Sequence, residues 1–232
     1  MKKFMSVLIL LVGCGGTDSG NPKAVSLVMQ AIDKSTPLGL VLDSGIEITA
    51  AKAVVDRVRY RPFDSCSAEE DESVTALSSP ELVDLLDPVA LIEFDPSVQK
   101  ICRLDVRLTD DHSFSALTDL SMKIEGKRAD MTPFVIEIEL EREFSVRNTA
   151  IGISLSSNTL YILGFNVNEW FQGVNLNGAT IVDGQITISD GSNEELLELI
   201  VDNIKTSASF HRDDDDDGEY DDNDEELGDD DD

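Results

Sequence analysis

The stretch Ile46-Glu47-Ile48-Thr49-Ala50-Ala51-Lys52-Ala53-Val54-Val55-Asp56-Arg57-Val58-Arg59-Tyr60-Arg61-Pro62 shows the alternation that decides the fold. The apolar residues of one parity are Ile46, Ile48, Ala50, Val54, Val58 and Tyr60. Successive side chains of a β-strand point to opposite faces, so the pattern predicts one long, half-buried strand. Its outer face carries Arg57, Arg59 and Arg61. We interpret this row as ion-paired to an acidic neighbouring strand, with a ligand-binding stripe as the alternative.

Shorter runs with the same period occupy most of residues 23–190. One run alternates Cys102, Leu104, Val106 and Leu108 with Arg103, Asp105 and Arg107. A hairpin is predicted between residues 120 and 141, and its outward glutamates are expected partners of the arginine row. Those glutamates are Glu137, Glu139 and Glu141. About ten short strands with one polar face predict a mainly β fold, an antiparallel β-sandwich or open barrel.

One C-terminal amphipathic helix is predicted from about Asn193 to Lys205. Ser192 with Glu195 three residues later fits a capping box at its start. Its apolar stripe consists of Leu196, Leu197, Ile200, Val201 and Ile204. This stripe should pack on the sheet.

The amino terminus has the features of a targeting segment. Lys2 and Lys3 precede a nine-residue apolar run that is too short to span a bilayer. The following Leu11-Val12-Gly13-Cys14 resembles the lipobox of bacterial lipoproteins. The resemblance implies cleavage before Cys14, diacylglycerol on its thiol and acylation, for example by palmitate, of the new amino terminus. Gly15 stands where an Asp would retain an enterobacterial lipoprotein at the inner membrane, so the expected location is the outer membrane.

These features divide the chain into four parts. Residues 1–13 are interpreted as a signal peptide and 14–22 as a lipidated tether. Residues 23–212 form the predicted β-sandwich domain, and 213–232 a disordered, acidic, low-complexity tail. With Cys14 assigned to lipid, Cys66 and Cys102 remain as an even pair in an oxidising compartment, which favours a disulfide over two free thiols.

Charge excludes one class of partner. The chain carries a net charge of −29, and residues 213–232 contribute −15 of it. Nucleic-acid binding needs a basic footprint, so it is not expected. An anionic lipid surface would also repel the chain, so the lipid must hold it at the membrane.

The tail also contains the opening of a calcium loop. Oxygen ligands at positions 1, 3, 5, 7, 9 and 12 of such a loop suit Ca²⁺. The corresponding residues are Asp213, Asp215, Asp217, Glu219, Asp221 and Asp224, with Gly218 at the turn. Because a run this acidic matches many acidic patterns, diffuse cation binding by a disordered tail is favoured over a specific site.

A second motif suggests an enzyme. Asp43-Ser44-Gly45 after an apolar pair resembles the turn of aspartic proteases, and Ile162-Leu163-Gly164 resembles its support in retroviral-type members. The chemistry needs two aspartates that share a proton, so a single turn per chain would demand a homodimer. An ordinary turn is the favoured interpretation. The chain shows no Gly-x-Ser-x-Gly elbow, P-loop or His-Glu-x-x-His.

The body also resembles a known kind of protein. The segment from Gly45 to Val58 and the strand Gly164-Phe165-Asn166-Val167 are similar to uncharacterised bacterial lipoproteins with a transthyretin-like or carbohydrate-binding-like sandwich. The resemblance implies no established activity. We therefore expect a monomeric, lipid-tethered envelope module without enzymatic activity, which binds a glycan or a protein partner and requires no cofactor other than, optionally, Ca²⁺.

Overall fold

The computed structural model describes residues 25–33, 41–42, 44–66, 72–95, 97–139, 141–148, 151–156, 159–214, 220–221 and 224–229 of the 232-residue chain. Its strands are β1 (Val25–Ile32), β2 (Glu47–Pro62), β3 (Val74–Leu77), β4 (Glu81–Asp84), β5 (Ile92–Phe94), β6 (Lys100–Leu108), β7 (Met122–Lys127), β8 (Pro133–Ile138), β9 (Arg142–Arg147), β10 (Ile153–Ser154), β11 (Leu160–Asn166), β12 (Ile181–Val182), β13 (Gln185–Ile188), β14 (Ala208–Arg212) and β15 (Glu225–Asp229). The helices are α1 (Val167–Trp170) and α2 (Glu194–Thr206). The predicted mainly β fold with a C-terminal helix is confirmed.

The strands form two sheets. The smaller has the order β15-β14-β11-β1-β5, and the larger β10-β6-β2-β7-β8-β13-β12. β3 and β4 pair with β2, and β9 pairs with β6. Most pairs are antiparallel, as predicted, but β1 pairs with β11 and β8 with β13 in parallel. Alternation does not encode strand direction, and both parallel pairs join strands that are far apart in the sequence.

Inner side chains of both sheets form one hydrophobic cluster. Aromatic rings link the two layers: Tyr60 of the larger sheet lies 5.3 Å from Phe94 of the smaller, measured between ring centroids. Phe94 in turn contacts Tyr161 at 6.4 Å. Helix α2 covers this core with its apolar stripe, as predicted.

The start of α2 differs from the prediction. The N-cap is Asn193 rather than Ser192, and its side chain makes no capping hydrogen bond. Instead, the Asn193 amide accepts a hydrogen bond from the Thr180 N–H at 2.8 Å and donates to the Thr187 carbonyl at 2.7 Å. Because this side chain ties the helix to the β12–β13 hairpin, it is not available as a cap.

Strand β2 is the longest element and is not regular. The residues of this segment in the core cluster are Ile46, Ile48, Ala51, Ala53, Val55, Val58 and Tyr60. The register shifts between Ile48 and Ala50 and again between Val55 and Arg57. Each β-bulge inserts one residue and exchanges the two faces of the strand. The sequence therefore predicted the core-facing side correctly for Ile46, Ile48, Val58 and Tyr60. It was wrong for Ala50 and Val54, which lie on the other face of the strand.

A disulfide joins Cys66 to Cys102, with Cα atoms 6.3 Å apart, as predicted. Cys66 follows the end of β2, and Cys102 lies near the start of β6. The bond therefore fastens these two neighbouring strands at one end.

Part of the acidic tail belongs to the smaller sheet. Glu225–Asp229 form β15, which pairs antiparallel with β14. Leu227 packs against the core, and its carbonyl accepts a hydrogen bond from the Asn148 side chain at 3.2 Å. The predicted disorder therefore does not hold for these five residues, because one apolar side chain and a free strand edge give them a place in the sheet.

Candidate anion-binding face

Nine side chains on the outer surface of β2, β6 and β9 form the arginine face. They are Arg57, Arg59, Arg61, Arg103, Asp105, Arg107, Glu143, Ser145 and Arg147. The residues between them, such as Val58, Leu104 and Val146, lie in the core cluster. Period-two alternation on three adjacent strands therefore places these polar side chains together on one surface.

The pairing register arranges the face in three rows. Arg57 lies opposite Arg107, which lies opposite Glu143; Arg59 lies opposite Asp105, which lies opposite Ser145. In the third row, Arg61 lies opposite Arg103, and Arg103 lies opposite Arg147. The third row thus places three cations side by side.

Asp105 is the central acceptor of the face. Its side chain is only 2% exposed, and its Oδ1 accepts hydrogen bonds from Arg103 Nε and Ser145 Oγ, each at 2.6 Å. Arg59 lies 3.6 Å from its other oxygen. A buried carboxylate needs such partners, because removing a charge from water costs several kcal/mol.

Glu143 and Asp56 supply the other negative charges. Glu143 binds Arg57 at 2.6 Å and lies 3.6 Å from Arg59. Asp56, the residue inserted by the second bulge of β2, takes two hydrogen bonds from Arg107. Asp56 raises the pKa of the Arg107 guanidinium through these bonds.

The ion pairing predicted for the arginine row is therefore present, but with other partners. Glu137 lies on β8, opposite Lys123 of β7, so it is one strand further from β2 than expected. Glu141 accepts a hydrogen bond from Thr109. The acids that bind Arg57 and Arg59 come from β6 and β9, and the strand order that brings them there could not be read from alternation.

The face carries a surplus of positive charge. Together with the adjoining Asp56, the face contains six of the nine arginines of the chain and the three carboxylates of Asp56, Asp105 and Glu143, which gives a formal charge of +3. Subtracting this from the total of −29 leaves −32 on the remainder. Among the described residues, no large exposed hydrophobic side chain lies on β2, β6 or β9. The surface is therefore polar and rich in arginine.

The predicted calcium loop is only partly described. Asp213 follows β14 and is buried, while Asp224 precedes β15. The Asp224 carboxylate accepts backbone hydrogen bonds from Asp214 at 3.1 Å and Asp221 at 2.9 Å. Burial raises the pKa of Asp224, and the charges of Asp213 and Asp221 add to this shift. Asp215, Asp217 and Glu219 lie outside the described residues, within which no group of three metal-ligating side chains forms.

The protease motif has no assembled site among the described residues. Asp43 lies outside them. The neighbouring Gly45 has a φ of +76°, and a Cβ built on it would meet Ala129 in the β7–β8 hairpin. Gly164 instead lies against Ile32 and His211 in the smaller sheet. The two motif segments therefore contact different parts of the molecule.

Both histidines are at least partly buried. His211 is buried, and its Nε2 lies 2.7 Å from Ser209 Oγ. His112 accepts the Phe114 N–H at Nδ1, so its Nε2 carries the proton that is donated to the Leu120 carbonyl at 2.8 Å. Because Ser209 and His211 are both buried, this pair lacks the access that a nucleophilic site requires.

No protein-family model, curated protein sequence or solved structure matches this chain. Cys14 lies outside the described residues, and no helix within them is long and apolar enough to cross a membrane. The arginine face is therefore the candidate site on geometry alone. The sequence did not assign the residues of β6 and β9 to this site, because their position beside Arg57, Arg59 and Arg61 depends on strand order.

Proposed function

We propose that this chain is a lipid-anchored, non-enzymatic binding module of the bacterial cell envelope, held at the outer membrane through Cys14. The lipobox-like Leu11-Val12-Gly13-Cys14 supports the anchor. The observation that carries the binding role is the net positive arginine face on a chain of net charge −29. Its partner is a glycan or an envelope protein that presents negative charge to this face.

The arrangement of charges on the arginine face does not favour stability of the folded chain. Like charges directly opposite each other on neighbouring strands are destabilising, and the register contains three such pairs. Local features that reduce stability are retained mainly where they serve a function. Guanidinium groups present a planar fork of donors that suits carboxylate and phosphate groups, which supports binding of an anionic partner.

Fractionation of cells tests the anchor. The Cys14→Ser variant should move from the membrane fraction to the soluble fraction and lose incorporation of labelled palmitate, because the thiol that carries the lipid is gone. The Gly15→Asp variant keeps Cys14 and serves as the control, with membrane retention and, in an enterobacterial host, a shift to the inner membrane. Retention of Cys14→Ser in the membrane fraction would contradict the proposal.

Calcium binding by the tail is a second candidate function. Residues 213–224 form the whole connection between β14 and β15, which has the twelve-residue length of a calcium loop. Arg212 holds both ends of this connection, with Asp214 at 2.7 Å and Glu225 at 2.8 Å. A loop whose ends are fixed loses less entropy when it closes around an ion.

The raised pKa of Asp224 gives this candidate a pH signature. A carboxyl whose pKa is higher in the folded than in the unfolded chain contributes stability below its ordinary pKa of about 3.9, and loses it as pH rises through the folded value. Ca²⁺ should restore this stability at neutral pH, because it offsets the repulsion between Asp213, Asp221 and Asp224.

Calorimetric titration with Ca²⁺ tests the candidate. The full chain should show one stoichiometric site, and the Asp213→Asn/Asp224→Asn variant should lose it. The control is Asp231→Asn/Asp232→Asn, which removes the same charge outside the loop and should keep the site. Weak binding that salt abolishes equally in all three chains would show diffuse cation association instead.

A further inference from the structure

We propose that a cavity between three connections of the larger sheet binds a free α-amino acid as a zwitterion. Its lining comes from the turn before β2, the β7–β8 hairpin and the segment that follows α1. Arg128 and Asp130 of the hairpin hold the carboxylate and the ammonium group of the ligand. Among the residues described for the lining, none belongs to the arginine face. The inference therefore does not depend on the binding role proposed for that face.

The volume of the cavity limits the size of the ligand. It measures about 240 Å³, whereas sites for drug-sized ligands measure roughly 300–1,000 Å³. The cavity therefore encloses one small molecule and is too small for a polymer. Ile46 and Leu176, both buried, and the half-buried Val174 form the main apolar part of the lining. This part suits a short aliphatic side chain.

The polar part of the lining carries one charge of each sign. Arg128 and Asp130 are the only charged residues described in it, so its formal charge is zero. Arg128 Nη2 donates a hydrogen bond to Asp130 Oδ2 at 2.7 Å. An anion is repelled by Asp130 and a cation by Arg128, whereas a zwitterion places an opposite charge beside each of them. The pair therefore favours a ligand that carries both charges.

Both members of the pair keep hydrogen-bonding capacity for a ligand. A guanidinium has five N–H donors, and Arg128 gives one to the Leu176 carbonyl at 3.2 Å and one to Asp130. A carboxylate has about four acceptor sites, and in Asp130 the Thr132 N–H, the Thr132 hydroxyl and Arg128 occupy three. Three donors and about one acceptor site remain for the ligand.

Access and ionisation also suit such a ligand. The side chains of Arg128 and Asp130 are 17% and 53% exposed, so solvent reaches both. Hydrogen bonds from the Thr132 hydroxyl and N–H, together with the charge of Arg128, lower the pKa of Asp130. Asp130 is therefore fully ionised at neutral pH, where the α-amino group of a free amino acid is an ammonium.

Contacts between the connections fix the shape of the cavity. The hydrogen bond from Arg128 to the Leu176 carbonyl joins the hairpin to the segment that follows α1. Gly45, which has a positive φ, lets the turn before β2 lie close against Ala129 of the hairpin. Because its walls are already in place, the site loses little conformational entropy when a ligand binds, which favours binding of a small molecule.

A neutral sugar is the competing ligand. Ser44, Asn175 and Asn177 also line the cavity, and their polar groups can bond to hydroxyls. A sugar, however, carries hydroxyls around most of its ring and would bury some of them against the apolar part of the lining without a partner. Charge-assisted hydrogen bonds are also about twice as strong as neutral ones. Both arguments favour the zwitterion.

The test is calorimetric titration of the full-length chain in neutral detergent with L-valine. Valine should bind at one site, and glycine more weakly because it lacks the aliphatic side chain. N-acetyl-L-valine lacks the ammonium group and L-valinamide lacks the carboxylate, so each should bind at least tenfold more weakly than valine. Failure of valine to bind, or equal binding of valine and both derivatives, would overturn the proposal.

Two variants assign each charge of the ligand to one residue. Asp130→Asn should bind valine at least tenfold more weakly but N-acetyl-L-valine as wild type does, since that ligand has no ammonium group. Arg128→Gln should weaken valine and leave L-valinamide unchanged. Such cycles isolate each pair of groups. Since Arg128 also joins two connections, circular dichroism checks its variant, and if that variant does not fold, the Asp130 cycle decides alone.

A matched control lies on the same hairpin. Lys123 and Glu125 form an ion pair with the same spacing in the chain and the same distance of 2.7 Å, and Glu125 is 48% exposed. Neither residue is among those described for the lining. Glu125→Gln should bind valine as wild type does, and a loss equal to that of Asp130→Asn would overturn the proposal. Binding of glucose but not of valine would show that the cavity takes a neutral sugar instead.

Discussion

The two halves of β2 carry different charge patterns on the same outer surface. The surface around the amino-terminal half of β2, which we call the lysine half, carries three ion pairs formed with residues of β2, β4 and β7. Lys52 pairs with Asp84 at 3.7 Å, and Lys127 pairs with Glu47 at 2.9 Å. Lys123 pairs with Glu125 at 2.7 Å. Its three cations thus meet three acids, whereas the arginine face together with Asp56 has six cations and three acids. Both groups of charges lie on and beside the same strand of one sheet, so strand formation does not explain the difference.

The comparison separates charge that solvates a surface from charge that is available to a ligand. Exposed ion pairs such as those of the lysine half contribute between 0 and about 1 kcal/mol each to the free energy of unfolding, and they keep the surface solvated. On the arginine face, one acid is buried, a disulfide fastens the strands, and three arginines lie opposite one another in one row of the register. The following predictions test this difference, in order of decreasing effect.

The largest effect should come from the disulfide. Replacing Cys66 and Cys102 by Ala opens a loop of 36 residues and should lower the free energy of unfolding by up to about 3.8 kcal/mol. Chemical denaturation measures the loss. Because the bond fastens β2 to β6, amide hydrogen exchange should increase more in β6 and β9 than in β7 and β8. A uniform increase across the sheet would show that the disulfide does not act on the arginine half in particular.

The next effect concerns the buried acid of the face. Asp105→Ala should lower the free energy of unfolding by about 2–3 kcal/mol, because it leaves Arg59 and Arg103 crowded without their shared acceptor. The matched change in the lysine half, Asp84→Ala, should cost less than about 1 kcal/mol, since both partners there are exposed. Urea denaturation of the two variants gives the comparison, and equal losses would remove the distinction between the halves.

The smallest effect has opposite signs in the two halves. Arg147→Thr should raise the free energy of unfolding by about 0.2–1 kcal/mol, because it relieves the repulsion with Arg103. Lys127→Thr should lower it by up to a similar amount, because Lys127 lies opposite Glu47 and binds it. Thermal denaturation at low salt gives both signs, and added salt should shrink both differences. Destabilisation by Arg147→Thr would mean that the row is structural.

Much of the fold could be predicted from local patterns. Alternation located β2, β6, β7 and β8, and the even pair of cysteines predicted the disulfide. These features depend on neighbours in the sequence or on a simple count. The hairpin between β12 and β13 could also have been predicted, since Asp-Gly is typical of a two-residue turn. Asp183 and Gly184 form this turn, and both have positive φ.

Other features depend on contacts that a single sequence does not contain. The two bulges of β2 place Ala50 and Val54 on the opposite face from the one predicted. The bulges could not be recognised in the sequence, because the segment contains apolar residues on both sides of Asp56. The strand β15 was missed because Leu227 is the only large aliphatic residue in an acidic run and its place depends on the free edge of β14.

The candidate site was half predicted. The arginines of β2 were visible as a row, and those of β6 as a second alternation. Their juxtaposition, and the addition of Glu143 and Arg147 from β9, follow from strand order and register. A charge surplus is a property of the assembled surface, so no single stretch of sequence reveals it.

The central claim is that the arginine face binds an anionic partner, either a glycan or an envelope protein. Its most direct test is the NMR spectrum of the arginine side-chain Nε–Hε groups in the full-length chain, titrated with polygalacturonate near 0.1 M salt. The account predicts that resonances of Arg57 and Arg147 shift with saturation, while those of Arg128 and Arg212, which lie elsewhere, stay in place. Shifts of equal size at Arg128 and Arg212, or none at Arg57 and Arg147, would contradict it.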